Sequence, residues 1–277
     1  MIIGLPEFFQ TSGLSPEVRN YLLLFVEDRD KELLLHKDPG GLWEPDGKKG
    51  DWRNVTEHCL MVAARADMLG RFLNLPKDVQ EGLDSAAMLH DFYKRREIEM
   101  MKNGTIAGGD GLVIAWTAGK ESEKILRRAG FSELVISLVG CVGGFPQIIL
   151  RMKEILDAPD LKPEDVAHLA LHYIDGYTNG SSLAEPAVEE GDKIINDVDR
   201  RNKKNAERYS ELAKQSPPEY KDHPFFGKMT LFEAQAAMSH LIEVRITEIL
   251  HDNGGRSIKS QLHLPEYIDE CIIEAAA

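Results

Sequence analysis

Cysteine is scarce in this chain, and its few cysteines form no pattern. Only three occur among 277 residues, widely separated at Cys59, Cys141 and Cys271, with no Cys-x-x-Cys pair. An odd and scattered set argues against a disulfide framework and for a reducing compartment. The N-terminal segment also lacks the basic region and apolar run of a signal peptide. We therefore expect a cytoplasmic protein.

Long apolar runs and an excess of basic residues are missing as well. No uninterrupted apolar segment approaches the length that spans a bilayer. The chain has 33 Lys and Arg residues against 46 Asp and Glu, a net charge of −13. Nucleic acid and anionic membrane surfaces both require a basic footprint, so neither is expected as a partner. A small phosphorylated substrate needs only a local basic pocket and remains compatible with this charge.

Strand patterns are rare, no internal repeat is evident, and apolar residues recur mainly at helical spacing. The fold class predicted is therefore all-α. Ser15 followed by Pro16 is typical of a helix start, and this first helix should run to about His36. Further helices are predicted at about 55–72, 76–90, 120–129, 132–142, 147–156, 163–175, 188–214 and 231–250. Residues 1–180 are interpreted as the core, and residues 181–277 as a helical extension packed on it.

Four potential metal ligands lie on or beside the apolar faces of three predicted helices: His58, His90, Asp91 and Asp175. Two imidazoles and two carboxylates suit one divalent ion of Mn, Fe, Co, Ni, Zn or Mg better than a metal that prefers thiolates. Such an ion would lower the pKa of its water and bind a phosphoryl oxygen as a Lewis acid. The alternative is that each histidine is an ordinary core or surface residue. A second His-Asp pair, His251-Asp252, is interpreted as structural because it ends a predicted helix.

Three segments carry a resemblance to a known family. They are Asn54-Val55-Thr56-Glu57-His58, Leu89-His90-Asp91-x-x-Lys94 and Tyr173-Ile174-Asp175-Gly176. In this order they resemble the HD-domain superfamily of metal-dependent phosphohydrolases, and the first is similar to its nucleotidase-like branch. The resemblance covers roughly residues 16–180. It implies an HD-domain-like helical bundle that hydrolyses phosphate esters, often nucleotides.

Histidine is absent between His90 and His168, a departure from many members of that superfamily. In those members, additional histidines before the last aspartate bind a second metal ion. We therefore predict one ion rather than two. His172 lies three residues before Asp175 and can share its helix face. A supporting or structural role is the alternative for His172.

Catalytic roles are predicted for three residues near the proposed ligands. Arg53 or Lys94 can clamp a phosphate, although both can also be solvated surface charges. Glu57 can carry a proton or stabilise the first turn of its helix, and Glu97 is a second candidate acid or base. The charged run 200–204 can reach over the site as an anion funnel, whereas such a run is usually a solvated helix face.

Two functions from different classes are compatible with these patterns. The first is a phosphohydrolase in which a metal-activated water attacks a phosphomonoester, either a nucleotide or a small phosphorylated metabolite. The second is a non-catalytic HD-type binding or regulatory module whose metal is structural or absent. The missing histidines and the long extension allow this second function. An accidental match in an ordinary helical protein is the third interpretation.

Overall fold

A computed structural model describes residues 5–26, 28–43, 52–102, 111–190, 193–210, 212–214, 216–253 and 264–277. The helices are α1 (Leu5–Thr11), α2 (Pro16–Phe25), α3 (Asp30–Lys37), α4 (Arg53–Phe72), α5 (Lys77–Leu89), α6 (Lys94–Lys102), α7 (Gly111–Arg128), α8 (Glu133–Val139), α9 (Pro146–Leu156), α10 (Pro163–Tyr177), α11 (Asp197–Arg208), α12 (Leu231–Asp252) and α13 (Leu264–Ala276). Short 3₁₀ turns occupy Leu212–Lys214 and Pro218–Tyr220. Among these residues the strands are confined to β1 (Val188–Glu190) and β2 (Lys193–Ile195). The all-α prediction is confirmed.

Helices α4, α5 and α10 form the centre of the bundle. α4 packs along α5, and α10 lies against both of them. α10 begins with Pro163 at its first turn, and the Asp165 carboxylate accepts the backbone N–H of Lys162 at 3.1 Å. Nearly every residue of α10 from Val166 to Tyr177 is buried. Because α10 is enclosed over most of its length, polar side chains in its last turns also lie in the interior of the bundle.

The C-terminal helices share the apolar core of the rest of the chain. α12 packs on α9, α10 and α11, whereas α13 packs on α2 and α4. The same cluster of buried side chains runs from Phe8 in α1 to Ile272 in α13. Residues beyond position 180 therefore contribute to the interior that surrounds α4 and α10. None of the helices in the described ranges is both long enough and apolar enough to cross a membrane.

The single helix predicted from Pro16 to His36 is two helices, α2 and α3. The N–H of Val26 still bonds to the Leu22 carbonyl, and the chain then turns before Asp30. Arg29, at this turn, reaches α5, where its guanidinium lies 2.9 Å from Ser85 Oγ and 3.2 Å from Asp84 Oδ2. After this break, α3 packs on α5.

The helix predicted over residues 188–214 is wrong in its first part. β1 and β2 pair antiparallel, with Val188 opposite Ile195. α11 begins only at Asp197, because the side chain of Asn196 accepts the N–H groups of Val198 and Asp199. Asn is a strong helix N-cap, and a cap residue has an extended backbone rather than a helical one. The extended chain before the cap is then available for strand pairing.

Candidate metal centre

Three side chains from the central helices converge inside the bundle. Ligand atoms of His58, His90 and Asp175 all lie within 4.8 Å of one another. Nε2 of His58 is 3.1 Å from Asp175 Oδ1, and Nε2 of His90 is 3.5 Å from the same oxygen. Ligand atoms held about 2.1 Å from one ion are separated by about 3–4 Å. We call these three residues the triad; its spacing is compatible with a shared metal ion.

The triad is buried by the elements that carry it. His58 lies in the second turn of α4, His90 directly follows α5, and Asp175 lies in the last turn of α10. The side chain of His90 is only 1% exposed, and those of His58 and Asp175 are 11% and 12% exposed. Solvent therefore reaches the triad mainly on the side of His58 and Asp175.

The hydrogen bonding of His90 fits a metal ligand. Its Nδ1 lies 2.8 Å from the carbonyl of Ala87, so Nδ1–H donates to that oxygen. Its Nε2 is buried and has no hydrogen-bond partner among the described residues. A buried polar atom without a partner is costly, and a backbone acceptor on the other ring nitrogen is typical of metal-bound histidine. The donor set therefore fits a divalent cation between the imidazoles and the carboxylate.

The charge balance of the triad also favours a cation. Burial raises the pKa of Asp175, but the Arg201 guanidinium, His58 and His90 outweigh burial and hold that pKa well below its usual value. Burial lowers the pKa of His58 and so favours its neutral form. Burial also opposes protonation of His90, yet Cys59 and Asp175 raise the pKa of His90 well above its usual value. The position between His90 and Asp175 therefore stabilises a positive charge, whether a proton or a metal ion.

Asp91, the fourth predicted ligand, is not one of the three side chains that meet within 4.8 Å. Burial raises the pKa of Asp91, whereas Lys94 and His90 lower it, and the net shift is downward. Asp91 is thus an ionised carboxylate close to the triad and to Lys94. The structure brings together three of the four predicted ligands, and ligation by Asp91 stays a prediction.

Lys94 lies between two carboxylates. Its Nζ is 3.1 Å and 3.2 Å from the two carboxylate oxygens of Glu97. Burial lowers the pKa of Lys94, but Asp91 and Glu97 outweigh it and raise that pKa above the usual value. The ammonium is therefore a permanent positive charge beside Asp91, and Glu97 is occupied by an ion pair. Phosphate binding by Lys94 stays a prediction.

Glu57 and Arg53 contact the N-terminal segment. Oε1 of Glu57 accepts the backbone N–H of Gly13 at 3.0 Å. A guanidinium nitrogen of Arg53 donates to Thr11 Oγ1 at 2.8 Å. Both contacts fasten the α1–α2 segment to the start of α4, a role that the sequence patterns suggested for neither residue. Their proposed roles as proton carrier and phosphate clamp have no support from these contacts.

His172 does not join the triad. Its Nδ1 lies 3.2 Å from the carbonyl of Cys141, and burial lowers its pKa, so a neutral ring donates Nδ1–H to that oxygen. This contact fastens α10 to the segment after α8. The supporting role considered for His172 agrees with this geometry.

Arg201 is a site residue whose particular role the sequence did not reveal. It comes from the charged run of α11 that the sequence suggested as an anion funnel. Its guanidinium donates to Asp175 Oδ1 at 3.2 Å and also to the main-chain carbonyls of Asp175 and Thr178. Arg201 thus orients the carboxylate of the triad. The charged run was the only signal in the sequence that pointed toward it.

His36 is a second residue that sequence reasoning missed. It is 1% exposed, with Nδ1 3.0 Å from Thr56 Oγ1 and Nε2 2.5 Å from the carbonyl of Met88. Thr56 and Met88 each lie two residues before a triad histidine. Burial lowers the pKa of His36 to about 4, so the ring is neutral and links α4 to α5. No motif or periodicity distinguishes this histidine in the sequence.

Comparison with protein-family models, with curated proteins and with solved structures finds no match for this chain. The resemblance to the HD-domain superfamily therefore stays a prediction that rests on the three motif segments.

Proposed function

We propose that the protein is a metal-dependent phosphohydrolase of the HD type that acts on a phosphomonoester. The substrate class is a nucleotide or a small phosphorylated metabolite, and the cofactor is one divalent ion of Mn, Fe, Co, Ni, Zn or Mg. The observation that carries this proposal is the buried Nε2 of His90, which makes no hydrogen bond with the described residues and lies 3.5 Å from an ionised Asp175.

The residues of the site have separable roles in this proposal. When bound, the ion supplies Lewis acidity and lowers the pKa of a coordinated water. His58, His90 and Asp175 hold the ion, and Arg201 keeps Asp175 ionised and oriented. Lys94 places a positive charge beside Asp91, where it can offset the charge of a phosphoryl group. Burial of the triad limits access of bulk water.

The second candidate is a non-catalytic HD-type module with a structural metal. Two observations favour it: Glu57 is bonded to the Gly13 amide, and Glu97 is paired with Lys94. Neither predicted proton carrier is therefore free near the triad. A closed metal site with no exchangeable position would support this candidate.

Elemental analysis followed by a phosphatase screen tests the proposal. The purified protein is stripped of metal, reloaded separately with Mn, Co, Ni, Zn or Mg, and assayed against a panel of phosphomonoesters. We expect near-stoichiometric metal and turnover in the wild type, and loss of both in His90→Ala. His251→Ala is the matched control, because it removes the exposed histidine of the other His-Asp pair. Bound metal without turnover of any substrate would favour the non-catalytic module. Equal metal content in His90→Ala and wild type would contradict the site itself.

A further inference from the structure

A small cavity opens beside Asp175, on the side of the triad that faces α11 and α12. Its volume is about 100 Å³. Its ten lining residues include His172, Asp175 and Gly176 of α10 and Arg201 of α11. Half of them come from the C-terminal region, so residues beyond 180 complete the wall of a cavity that touches the triad.

The lining is polar and rich in amide groups. Asn202, Asn205 and Gln235 present amides, and Ser239 presents a hydroxyl. No Phe, Tyr or Trp side chain lines the cavity within the part of the chain that the structure describes. The wall therefore offers both donors and acceptors of hydrogen bonds. Among the described lining residues, the aromatic ring is the imidazole of His172, which is bonded to the Cys141 carbonyl.

Gln235 has unused hydrogen-bonding capacity at this wall. Its Oε1 is buried and without a partner among the described residues. Its amide lies directly over Gly144, since a Cβ atom built on Gly144 would come within 1.5 Å of Gln235 Nε2. A Cβ on Gly176, a second lining glycine, would lie 3.2 Å from Ser239 Oγ. The two glycines thus admit these polar side chains to the cavity, and Gln235 is left with an acceptor for a ligand.

Charge and size restrict what can occupy the cavity. Its one guanidinium, Arg201, is already bonded to the Asp175 carboxylate, so the two formal charges offset each other. A second anion would find no unpaired cation among the described lining residues. The volume is several times that needed for one water molecule and far below that of a drug-sized pocket. The cavity therefore best fits a small neutral group that both donates and accepts hydrogen bonds. A polyhydroxylated alcohol has these properties.

We propose that this cavity holds the hydroxyl-rich alcohol portion of the substrate, which makes the preferred substrates phosphomonoesters of small sugars or polyols. This inference rests on the proposed function, with the phosphoryl group at the triad and the alcohol in the cavity. In the reaction, the oxygen of water forms a bond to phosphorus and the bond from phosphorus to the alcohol oxygen breaks. The alcohol oxygen takes a proton, and the products are inorganic phosphate and the free polyol.

Variants of the cavity wall test this assignment in the metal-loaded protein. Ribose 5-phosphate is compared with p-nitrophenyl phosphate, whose aromatic leaving group carries no hydroxyl groups and so cannot donate a hydrogen bond to the oxygens of the wall. Asn205→Leu and Gln235→Leu should each lower kcat/KM for ribose 5-phosphate by about tenfold, the effect of losing a hydrogen bond in a closed site. The metal content of both variants should match that of the wild type, and kcat/KM for p-nitrophenyl phosphate should fall by less than kcat/KM for ribose 5-phosphate. Gln10→Leu, an exposed position on α1, is the matched control and should change nothing.

A binding measurement separates failure of this inference from failure of the proposed function. Ligand-observed NMR with D-ribose should detect contact with the wild type and a marked loss of contact in Asn205→Leu, whether or not any phosphoester is hydrolysed. Equal loss of activity toward both substrates in the variants, or no preference for ribose 5-phosphate in the wild type, would overturn the cavity assignment while hydrolysis stands. If no phosphoester is hydrolysed, the proposed function fails, and the NMR result alone decides whether the cavity binds a polyol.

Discussion

Two buried polar clusters extend from the same helix, α4, and they differ in how completely their hydrogen bonds are satisfied. One is the triad, which begins at His58. The other, here called the Arg65 cluster, consists of Arg65, Asp269, Thr178 and the backbone groups of Ser182 and Ala184. Arg65 donates to both carboxylate oxygens of Asp269, at 2.8 Å and 2.6 Å, and to Thr178 Oγ1 at 2.8 Å. A further N–H reaches the Ser182 carbonyl, and the Asp269 carboxylate also accepts the Ala184 amide.

The contrast indicates which cluster holds the fold together and which is suited to bind a ligand. His58 and Arg65 are seven residues apart, so they lie on the same face of α4. The Arg65 cluster is a closed ion pair that fastens α13 to α4. The triad leaves Nε2 of His90 without a hydrogen bond to any residue that the structure describes. Satisfied buried charges serve structure, whereas a buried atom without a partner in a set of metal-ligating groups points to an occupant.

The largest effect is expected where the satisfied cluster is broken. Asp269→Ala leaves the guanidinium of Arg65 buried without its counter-charge, and loss of one partner of such a pair costs about 3–5 kcal/mol. Chemical denaturation should show this decrease in the free energy of unfolding. Glu270→Ala, at the exposed neighbouring position, is the control and should stay within about 0.5 kcal/mol of the wild type. A small effect of Asp269→Ala would mean that the Arg65 cluster does not fasten α13.

His36 should make stability depend on pH. Its pKa is lowered to about 4 in the folded protein, against about 6.5 in the unfolded chain. Above pH 6.5 both states are neutral and the full stability is present. As the pH falls toward 4 the unfolded state takes up the proton first, so stability decreases by up to about 3 kcal/mol. Denaturation of metal-free wild type and His36→Gln at pH 7 and pH 5 measures this contribution. Identical pH dependence in the two proteins would contradict it.

Metal should stabilise the triad and leave the Arg65 cluster unaffected. An ion present at about 100 times its dissociation constant stabilises the folded state by about 2.7 kcal/mol. The midpoint temperature of thermal unfolding of the wild type should therefore rise on metal addition. It should return to its metal-free value when a chelator is added. The shift should vanish in His58→Ala. A disruption confined to the other cluster, Asp269→Asn, should retain it. A shift of equal size in His58→Ala would show that the ion binds elsewhere.

The smallest effect is expected for the residue that orients the triad. Arg201→Lys keeps the charge but loses the planar fork that contacts Asp175 and Thr178. Removing support from a metal ligand typically lowers metal affinity about 10–100-fold. Competition with a chelator measures this affinity. As a control, Arg245→Lys in α12 should match the wild type, because Arg245 pairs with Glu248 at 2.9 Å in the same helix. If Arg201→Lys binds the metal ion as tightly as the wild type, Arg201 does not support the metal ligand and serves only to pack α11.

Much of the fold followed from local patterns in the sequence. The periodicity of α4 and α10 and the Pro163 start predicted both helices to within two residues of their observed ends. The hairpin at Val188–Ile195 was missed because a thin apolar stripe suggested a helix. The Gly191-Asp192 dipeptide between the two short runs was a hairpin signal in the sequence.

The candidate site was predictable only in part. Three triad residues followed from motifs that place an imidazole or a carboxylate on an apolar helix. Arg201 lies 26 residues from its carboxylate and Asp269 lies 204 residues from Arg65. Such pairs depend on how distant helices pack, and no local spacing encodes that packing. For the same reason His36 could not be distinguished from the other histidines before α3 was placed against α4 and α5.

Thr178, one residue beyond α10, belongs to the surroundings of both clusters. Its hydroxyl accepts from Arg65 and donates to the Ile174 carbonyl, while its own carbonyl accepts from Arg201. The last turn of α10 is therefore anchored from two directions, and Asp175 is preorganised before any ion arrives. The entropy of fixing that carboxylate, about 0.5–1.5 kcal/mol for an immobilised side chain, is already lost when the chain folds and does not weaken the capture of a cation.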